Sequence, residues 1–159
     1  MEVIKKKPAI KKRIKPVVSA KERKPLVRDI MGNIEKWSVN QKIAVIESGI
    51  SKFELAKVKQ ETGLDYEALS RILGVTKTTL HNKKGNEKFA APVSEKLLQL
   101  ADIYVLGYEI FGDKEHFKHW IANPIRSTGG IAPMELLKTY YGREEVKNII
   151  GRIAWGIIS

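Results

Sequence analysis

Apolar positions recur along most of this chain at helical rather than strand spacing. Leu26, Ile30, Ile34 and Trp37 stand four, four and three apart and predict a short amphipathic helix. Ser38 and Gln41 have the spacing of a capping box and open a second segment through Ile46, whose β-branched residues leave a strand possible. Gly49 ends it. Lys52 to Glu61 predicts a helix with Phe53, Leu55, Ala56 and Val58 inward, closed by Gly63. Val93 to Ile110 is a longer one, with Ser94, Leu97, Leu98, Ala101, Val105 and Tyr108 on its inner face. Gly112 stops that helix and Asp113 caps the next, Glu115 to Ala122, which Asn123-Pro124 breaks because the residue before proline leaves the α region. Pro133 sits in the first turn of Met134 to Tyr141, Gly142 closes it, and a last helix runs from Glu144 to roughly Ile157. No internal repeat is present. The expected fold is all-α.

Between Asp65 and Lys84 the polar and apolar positions divide as they do in a helix-turn-helix. Asp65 caps Tyr66 to Leu73, whose Ala68, Leu69, Ile72 and Leu73 form one apolar face. Gly74 turns the chain, Val75 fills the angle, Thr76 caps the second helix and Leu80 holds it to the first. Lys77, Thr78, His81 and Asn82 are left facing outward, and Lys83, Lys84 and Lys88 follow. A recognition helix presents hydrogen-bonding side chains to base edges in the major groove, while lysines track the phosphates. Asn82 can pair with adenine, and Thr78 can meet a thymine methyl or a phosphate. The same pattern also serves plain helix packing.

Charge singles out one further segment. Of the net +11, residues 1–28 carry +9, from eleven Lys/Arg against Glu2 and Glu22, which leaves +2 for everything after. Prolines 8, 16 and 25 punctuate these charges, so hydrophobic burial cannot offset chain entropy there, and residues 1–25 read as an extended basic arm. Lys11, Lys12 and Arg13 are its candidate phosphate contacts. A solvated tail and a nuclear-localisation signal are the competing readings.

The last helix carries apolar residues on two faces. With Val146 at zero on a wheel of 100° per residue, Ile149, Ile150, Ile153 and Ile157 fall within about 60° and are expected in the core. Trp155 falls at about 180° and Ile158 at about 120°, beside the small Gly151. An apolar patch on a nominally wet face, with an aromatic anchor and Arg152 nearby, reads as an interaction surface. The alternatives are that the chain's first helices pack over Trp155, that Trp155 is core because the helix phase slips near Gly151, or that the patch is a homodimer contact.

Catalytic chemistry finds little support. The 159 residues include no cysteine, which excludes disulfides and thiolate sites and fits a reducing, cytoplasmic setting. No apolar run approaches a bilayer span, and no signal-peptide core follows the basic start. His116 and His119 have a chelating spacing but no third ligand nearby, and no nucleophile elbow or carboxylate pair is evident. Gly129-Gly130 lacks the Lys-Ser/Thr of a phosphate loop and reads as a turn. No enzyme, cofactor or metal is expected.

From Phe111-Gly112-Asp113 onward, Trp120, Pro124, Gly129-Gly130, Pro133, Leu136-Leu137, Gly142, Val146, Arg152-Ile153 and Gly156 together resemble the toxin-binding domain of the Xre/MbcA/ParS antitoxins. That family places a helix-turn-helix ahead of this domain, as here, and the combined resemblance covers roughly residues 45–159. It implies an antitoxin of a type II toxin-antitoxin system that blocks the active-site entrance of a RES-class enzyme, one that consumes nicotinamide dinucleotide or transfers its ADP-ribose. By position, Arg152, Gly156, Ile157, Ile158 and Ser159 would form the inhibitory end, joined by Trp155 from the reading above, and Ser159 ends this chain as it would end such a protein. Autorepression of the operon as a dimer or larger assembly, with operator DNA as second partner, is also implied. The expected organisation is an arm (1–25), a helical region with the helix-turn-helix at about 52–84 (26–92), and a toxin-binding or dimerisation module (93–159).

The chain departs from the family at Ile125 and Thr128. It departs also at Thr78-Thr79-Leu80-His81-Asn82, where relatives commonly read Arg-Thr-Leu-x-Arg. Two missing arginines shift expected phosphate binding toward the basic arm. A stand-alone DNA-binding regulator whose C-terminal module only dimerises is the alternative.

Overall fold

The computed structural model describes residues 28–157; the arm lies outside the described residues, as do Ile158 and Ser159. Nine α-helices make up the described part, in the order α1 (Ile30–Asn33), α2 (Val39–Ser48), α3 (Lys52–Thr62), α4 (Tyr66–Leu73), α5 (Lys77–Asn82), α6 (Ala91–Phe111), α7 (Lys114–Ala122), α8 (Pro133–Leu136) and α9 (Tyr140–Ala154). No strand occurs among the described residues, only isolated bridges pairing Ser51 with Lys88 and Ile125 with Ile131. None of the helices described is long and apolar enough to cross a membrane.

The first expected helix is broken in two. Asp29 caps α1 by accepting from the Gly32 N–H, and after four residues the chain tightens into a 3-10 turn over Ile34–Lys36. Gly32 and Asn33 are poor helix interiors, and the Asn33 side chain donates to the Asp29 carbonyl instead. Ile30 and Ile34 still reach the core. The capping box of Ser38 and Gln41 forms with both of its hydrogen bonds, so the segment left open between helix and strand is helical.

In α3 the expected inner face is off by one position. Leu55 and Val58 are buried, but Phe53 is half exposed and Ala56 is exposed, while the carboxylate Glu54 is 3% exposed. Glu54 closes the Ser51 capping box and pairs with Arg28. A charged residue that finds its partners inside is invisible to a hydrophobic pattern.

Helix α6 is the spine, packing against α1, α2, α3, α4, α7 and α9. Its buried Ser94 accepts from the Ile50 N–H and donates to the Phe89 carbonyl, tying the loop ends before α3 and α6 together. Near its far end Tyr104, Tyr108 and Phe111 meet Phe117 of α7, and Phe111 also meets Trp120, with ring centroids 5.2–5.6 Å apart. Gly107 makes that approach possible, since a Cβ there would lie 2.2 Å from a Phe117 ring carbon. One apolar core runs from Ile30 to Ile150.

The expected helix Met134–Tyr141 is shorter and ends differently. α8 stops at Leu136, and Thr139 caps α9 by accepting from the Gly142 N–H. Gly142 therefore lies in the first turn of α9 rather than closing α8. It is glycine because a Cβ would come within 2.0 Å of the Leu136 carbonyl oxygen. The buried Arg143 then locks α9 down, donating from Nε to Gln99 of α6 (2.6 Å) and from Nη1 to the Leu137 carbonyl (2.8 Å). Desolvation by burial lowers its pKa from the ordinary arginine value.

Candidate functional site

Two surfaces carry the side chains singled out in the sequence. On the first, α4 and α5 form the expected helix-turn-helix. Asp65 accepts from the Ala68 N–H, Gly74 takes the left-handed cap at φ 69°, and Thr76 accepts from the Thr79 N–H. Ala68, Leu69, Ile72, Leu73 and Leu80 are all buried, and Val75 is half-buried between the helices. Lys77, Thr78, His81, Asn82, Lys84 and Lys88 are exposed together on the outer side of α5 and the loop after it, with Lys83 half-buried.

These polar groups are partly committed already. Lys77 pairs with Glu67, whose hydrogen bond and charge raise the lysine pKa. Such an exposed pair contributes little to stability. The His81 ring lies 4.3 Å from that of Tyr66, Lys83 stands over Phe89 at 5.5 Å, and Lys88 donates to the Ser48 carbonyl at 2.7 Å. Sequence reasoning missed Lys52, whose ammonium donates to the Tyr66 hydroxyl (3.0 Å) and to the Leu80 carbonyl in the last turn of α5. It satisfies a helix-end acceptor and adds positive charge behind the recognition helix. Nothing in the spacing of α3 marks it out, because the contact spans 28 residues.

The second surface is the end of α9. Val146, Ile149 and Ile150 are buried as expected, but Ile153 and Ile157, assigned to the core from the wheel, are 36% and 57% exposed. Trp155 is 85% exposed. Ile157 leaves the wheel because the helix ends at Ala154, whereas Ile153 keeps its helical phase and is exposed because no described element packs over it. Ile157 N–H donates to the Arg152 carbonyl (2.9 Å) and Gly156 N–H to that of Ile153 (3.0 Å), with Gly156 at φ 69°. That pair of bonds is a Schellman cap. Gly156 thus has a backbone role that its assignment as a contact residue did not anticipate. Ile153, Trp155 and Ile157 are all exposed at this end, and Arg152 is held in an ion pair with Glu145 at 3.0 Å. Neither the first helices nor any other described element covers Trp155. Tyr140 and Tyr141, which open α9, are also exposed, at 57% and 84%.

The remaining candidates are undistinguished. Lys11, Lys12, Arg13, Ile158 and Ser159 lie outside the described residues. His116 and His119 are both exposed, and no cluster of three potential metal-ligating side chains occurs among the described residues. Gly129 and Gly130 form a turn closed by the Gly130 N–H on the Ile125 carbonyl.

Comparison with known proteins finds two matching domains. Residues 41–102 match the antitoxin Xre-like helix-turn-helix domain, and residues 106–156 match the antitoxin Xre/MbcA/ParS C-terminal toxin-binding domain. The two matches meet inside α6. Antitoxin Xre of Photorhabdus laumondii is 28% identical over 118 residues, which is 73% of this chain and 80% of that protein. Antitoxin Xre of Yersinia enterocolitica is 25% identical over 116 residues, 72% of this chain and 78% of that one. A protein named Prs ADP-ribosylating antitoxin, from Sphingobium sp., is 25% identical over 125 residues, 72% of this chain and 79% of its own. With a helix-turn-helix at one end of the α6 spine and the toxin-binding module built on the other, the chain belongs to the Xre/MbcA/ParS-type antitoxins.

Proposed function

We propose that this antitoxin neutralises a RES-class toxin by setting the end of α9 against the entrance of the toxin's active site, and that it represses its own operon through α5 and the basic arm. One observation carries the first half: Ile153, Trp155 and Ile157 are all exposed at one capped helix end. An exposed tryptophan on an ordered helix end presents a large apolar area at low entropic cost, which is how protein interfaces acquire their anchors. Arg152, Gly156, Ile158 and Ser159 complete the proposed contact. The name of the Sphingobium relative, Prs ADP-ribosylating antitoxin, supports the choice of toxin class. In this reading the protein is a cytoplasmic, non-enzymatic regulator, divided into an arm (1–25), a helix-turn-helix region (26–92) and a toxin-binding module (93–159).

For the second half, Lys77, Thr78, His81 and Asn82 would meet base edges, with Lys83, Lys84, Lys88 and the arm's Lys11, Lys12 and Arg13 on phosphates. Affinity that rests on several lysines falls steeply with salt. Co-expression with a RES-like enzyme followed by pull-down tests the first half, with capture expected from the intact chain and lost in Trp155→Ala. Failure of the folded wild type to hold such an enzyme overturns it. A gel-shift series tests the second: removal of residues 1–24 should weaken operator binding more than Asn82→Ala does, and the opposite order overturns the assignment of binding to the arm.

A further inference from the structure

Helix α9 carries exposed aromatic side chains at both of its ends, and the Trp155 end is only one of them. Among the described residues of the toxin-binding match, 106–156, the large apolar side chains left exposed are Ile131, Tyr140, Tyr141, Ile153 and Trp155. All but Ile131 belong to α9 or its C-cap. Tyr141 is 84% exposed, as open as Trp155 at 85%. The Tyr140 and Tyr141 rings lie edge to face at 5.5 Å. Folding does not call for them there. The start of α9 is held instead by the Thr139 cap, by the close approach of Gly142 to the Leu136 carbonyl, and by the bonds of the buried Arg143 to Gln99 and Leu137.

Helix geometry puts the two ends on one line. Tyr141 and Trp155 are two heptads apart, so at about 100° and 1.5 Å per residue they differ by only about 40° around the axis and by about 21 Å along it. The Trp155 N–H still bonds back to the Gly151 carbonyl (3.3 Å), so the row keeps its helical phase to the last member. Asn148 is exposed midway, one heptad from each end. Gly151 stands one turn before Trp155, and nothing lies within 4 Å of the place its Cβ would take. A glycine in a helix interior weakens the helix relative to alanine, and no described neighbour requires one here.

Resting on the toxin-binding reading above, we infer that the toxin lies along the whole outer face of α9, with Tyr141 as a second anchor about 21 Å from Trp155. A stable protein interface covers about 800 Å² on each partner, drawn from roughly 20–30 residues. The last turn of α9 alone supplies only a few. Further surface must be engaged, and outside that turn the exposed aromatics of the toxin-binding match are Tyr140 and Tyr141. Tyrosine suits the role, since it buries a rigid apolar ring while its hydroxyl meets polar groups. Asn148 and Gly151, which lack bulk, let the toxin pass close between the anchors. The two ends then divide the work. The Trp155 end bears on the entrance, and Tyr141 holds the toxin's outer surface, adding affinity without closing the site.

The test measures binding and inhibition separately, with the RES-class enzyme captured in the co-expression above as the probe and nicotinamide release as its activity. Tyr141→Ala should weaken binding about tenfold or more, yet inhibit fully once the antitoxin is raised to saturation. Asn148→Lys replaces a poorer helix former and sets a lysine four residues after Glu144, so it should keep the thermal midpoint. It should nonetheless weaken binding about tenfold, because a long charged side chain then stands in the middle of the covered row. Unchanged toxin affinity in folded Tyr141→Ala or in folded Asn148→Lys overturns the extended contact and leaves the Trp155 end intact. Loss of self-association in Tyr141→Ala, seen by sedimentation, with toxin affinity unchanged also overturns it and gives the face to a second copy of this chain. Residual activity at saturating Tyr141→Ala overturns the placement of Tyr141 away from the entrance. Should Tyr141→Ala unfold, Asn148→Lys decides. Failure of the wild type to capture any RES-class enzyme removes the toxin-binding reading itself, together with this extension of it.

Discussion

The helix-turn-helix and the end of α9 use apolar residues in opposite ways. In α4 and α5 every large aliphatic side chain turns inward, and what remains outside is polar or charged. In the last turn of α9 the order reverses, with an isoleucine, a tryptophan and another isoleucine left in solvent. The first surface fits a partner that is itself highly charged and hydrated, and the second fits one that buries apolar area. A single chain can keep both because α4, which carries α5, and α9 pack against the same spine, α6, yet neither surface borrows residues from the other.

The strongest way to break this contrast is to remove an inward anchor. Leu80→Ala deletes a fully buried side chain that holds α5 to α4. It should cost about 2–5 kcal/mol of stability, seen as a large fall in the thermal midpoint together with loss of DNA binding. Trp155→Ala should behave in the reverse manner. Removing an interface anchor of this kind costs about 2 kcal/mol or more in toxin affinity, while an exposed position changes stability by no more than about 0.5 kcal/mol. A Trp155→Ala protein that unfolds as readily as Leu80→Ala would erase the distinction between the two regions.

Gly156→Ala sharpens the comparison at intermediate size. Nothing lies within 4 Å of the position a Cβ would take there, so the substitution acts only through its φ of 69°. A left-handed alanine costs about 1–2 kcal/mol, enough to unwind the cap, redirect Trp155 and weaken toxin capture about tenfold with the thermal midpoint nearly unchanged. The smallest effect concerns pH. The folded pKa of Glu54 is depressed, so its contribution to stability is fully present above the ordinary value of 4.5 and is lost as pH falls through the lower folded value. Wild-type stability, measured by urea titration at several pH values, should fall more steeply below about pH 4.5 than that of Glu54→Gln.

How far each region was legible follows from the range of the interactions that build it. The helix-turn-helix could be read almost residue by residue, because Asp65, Gly74, Thr76 and Leu80 act on neighbours three or four positions away and each residue type has one obvious role at its place. The Ser38 capping box and the long central helix were legible for the same reason. The inner face of α3 was misjudged because Glu54 is held by Arg28, 26 residues away, and the pattern of apolar residues has no symbol for a paired charge. At the end of α9 the spacing of Ile153 and Ile157 extends the buried stripe of Val146, Ile149 and Ile150 without a break, so only the presence or absence of a neighbouring element could tell them apart. The exposure of Trp155 was suggested by the wheel, and the helical bond from its N–H to the Gly151 carbonyl carries that phase through to it.

The sequence by itself determined the all-helical architecture, the caps of the helix-turn-helix and of the long central helix's end, and the polar outer face of α5, because these follow from capping, glycine conformation and periodicity within a turn or two. Tertiary structure decided which charges go inside, that Arg28 and Lys88 meet at Ser48, and that the last apolar turn of α9 finds no cover. Burial belongs to the packing of distant segments, and a side chain's own spacing cannot say whether another helix arrives to cover it.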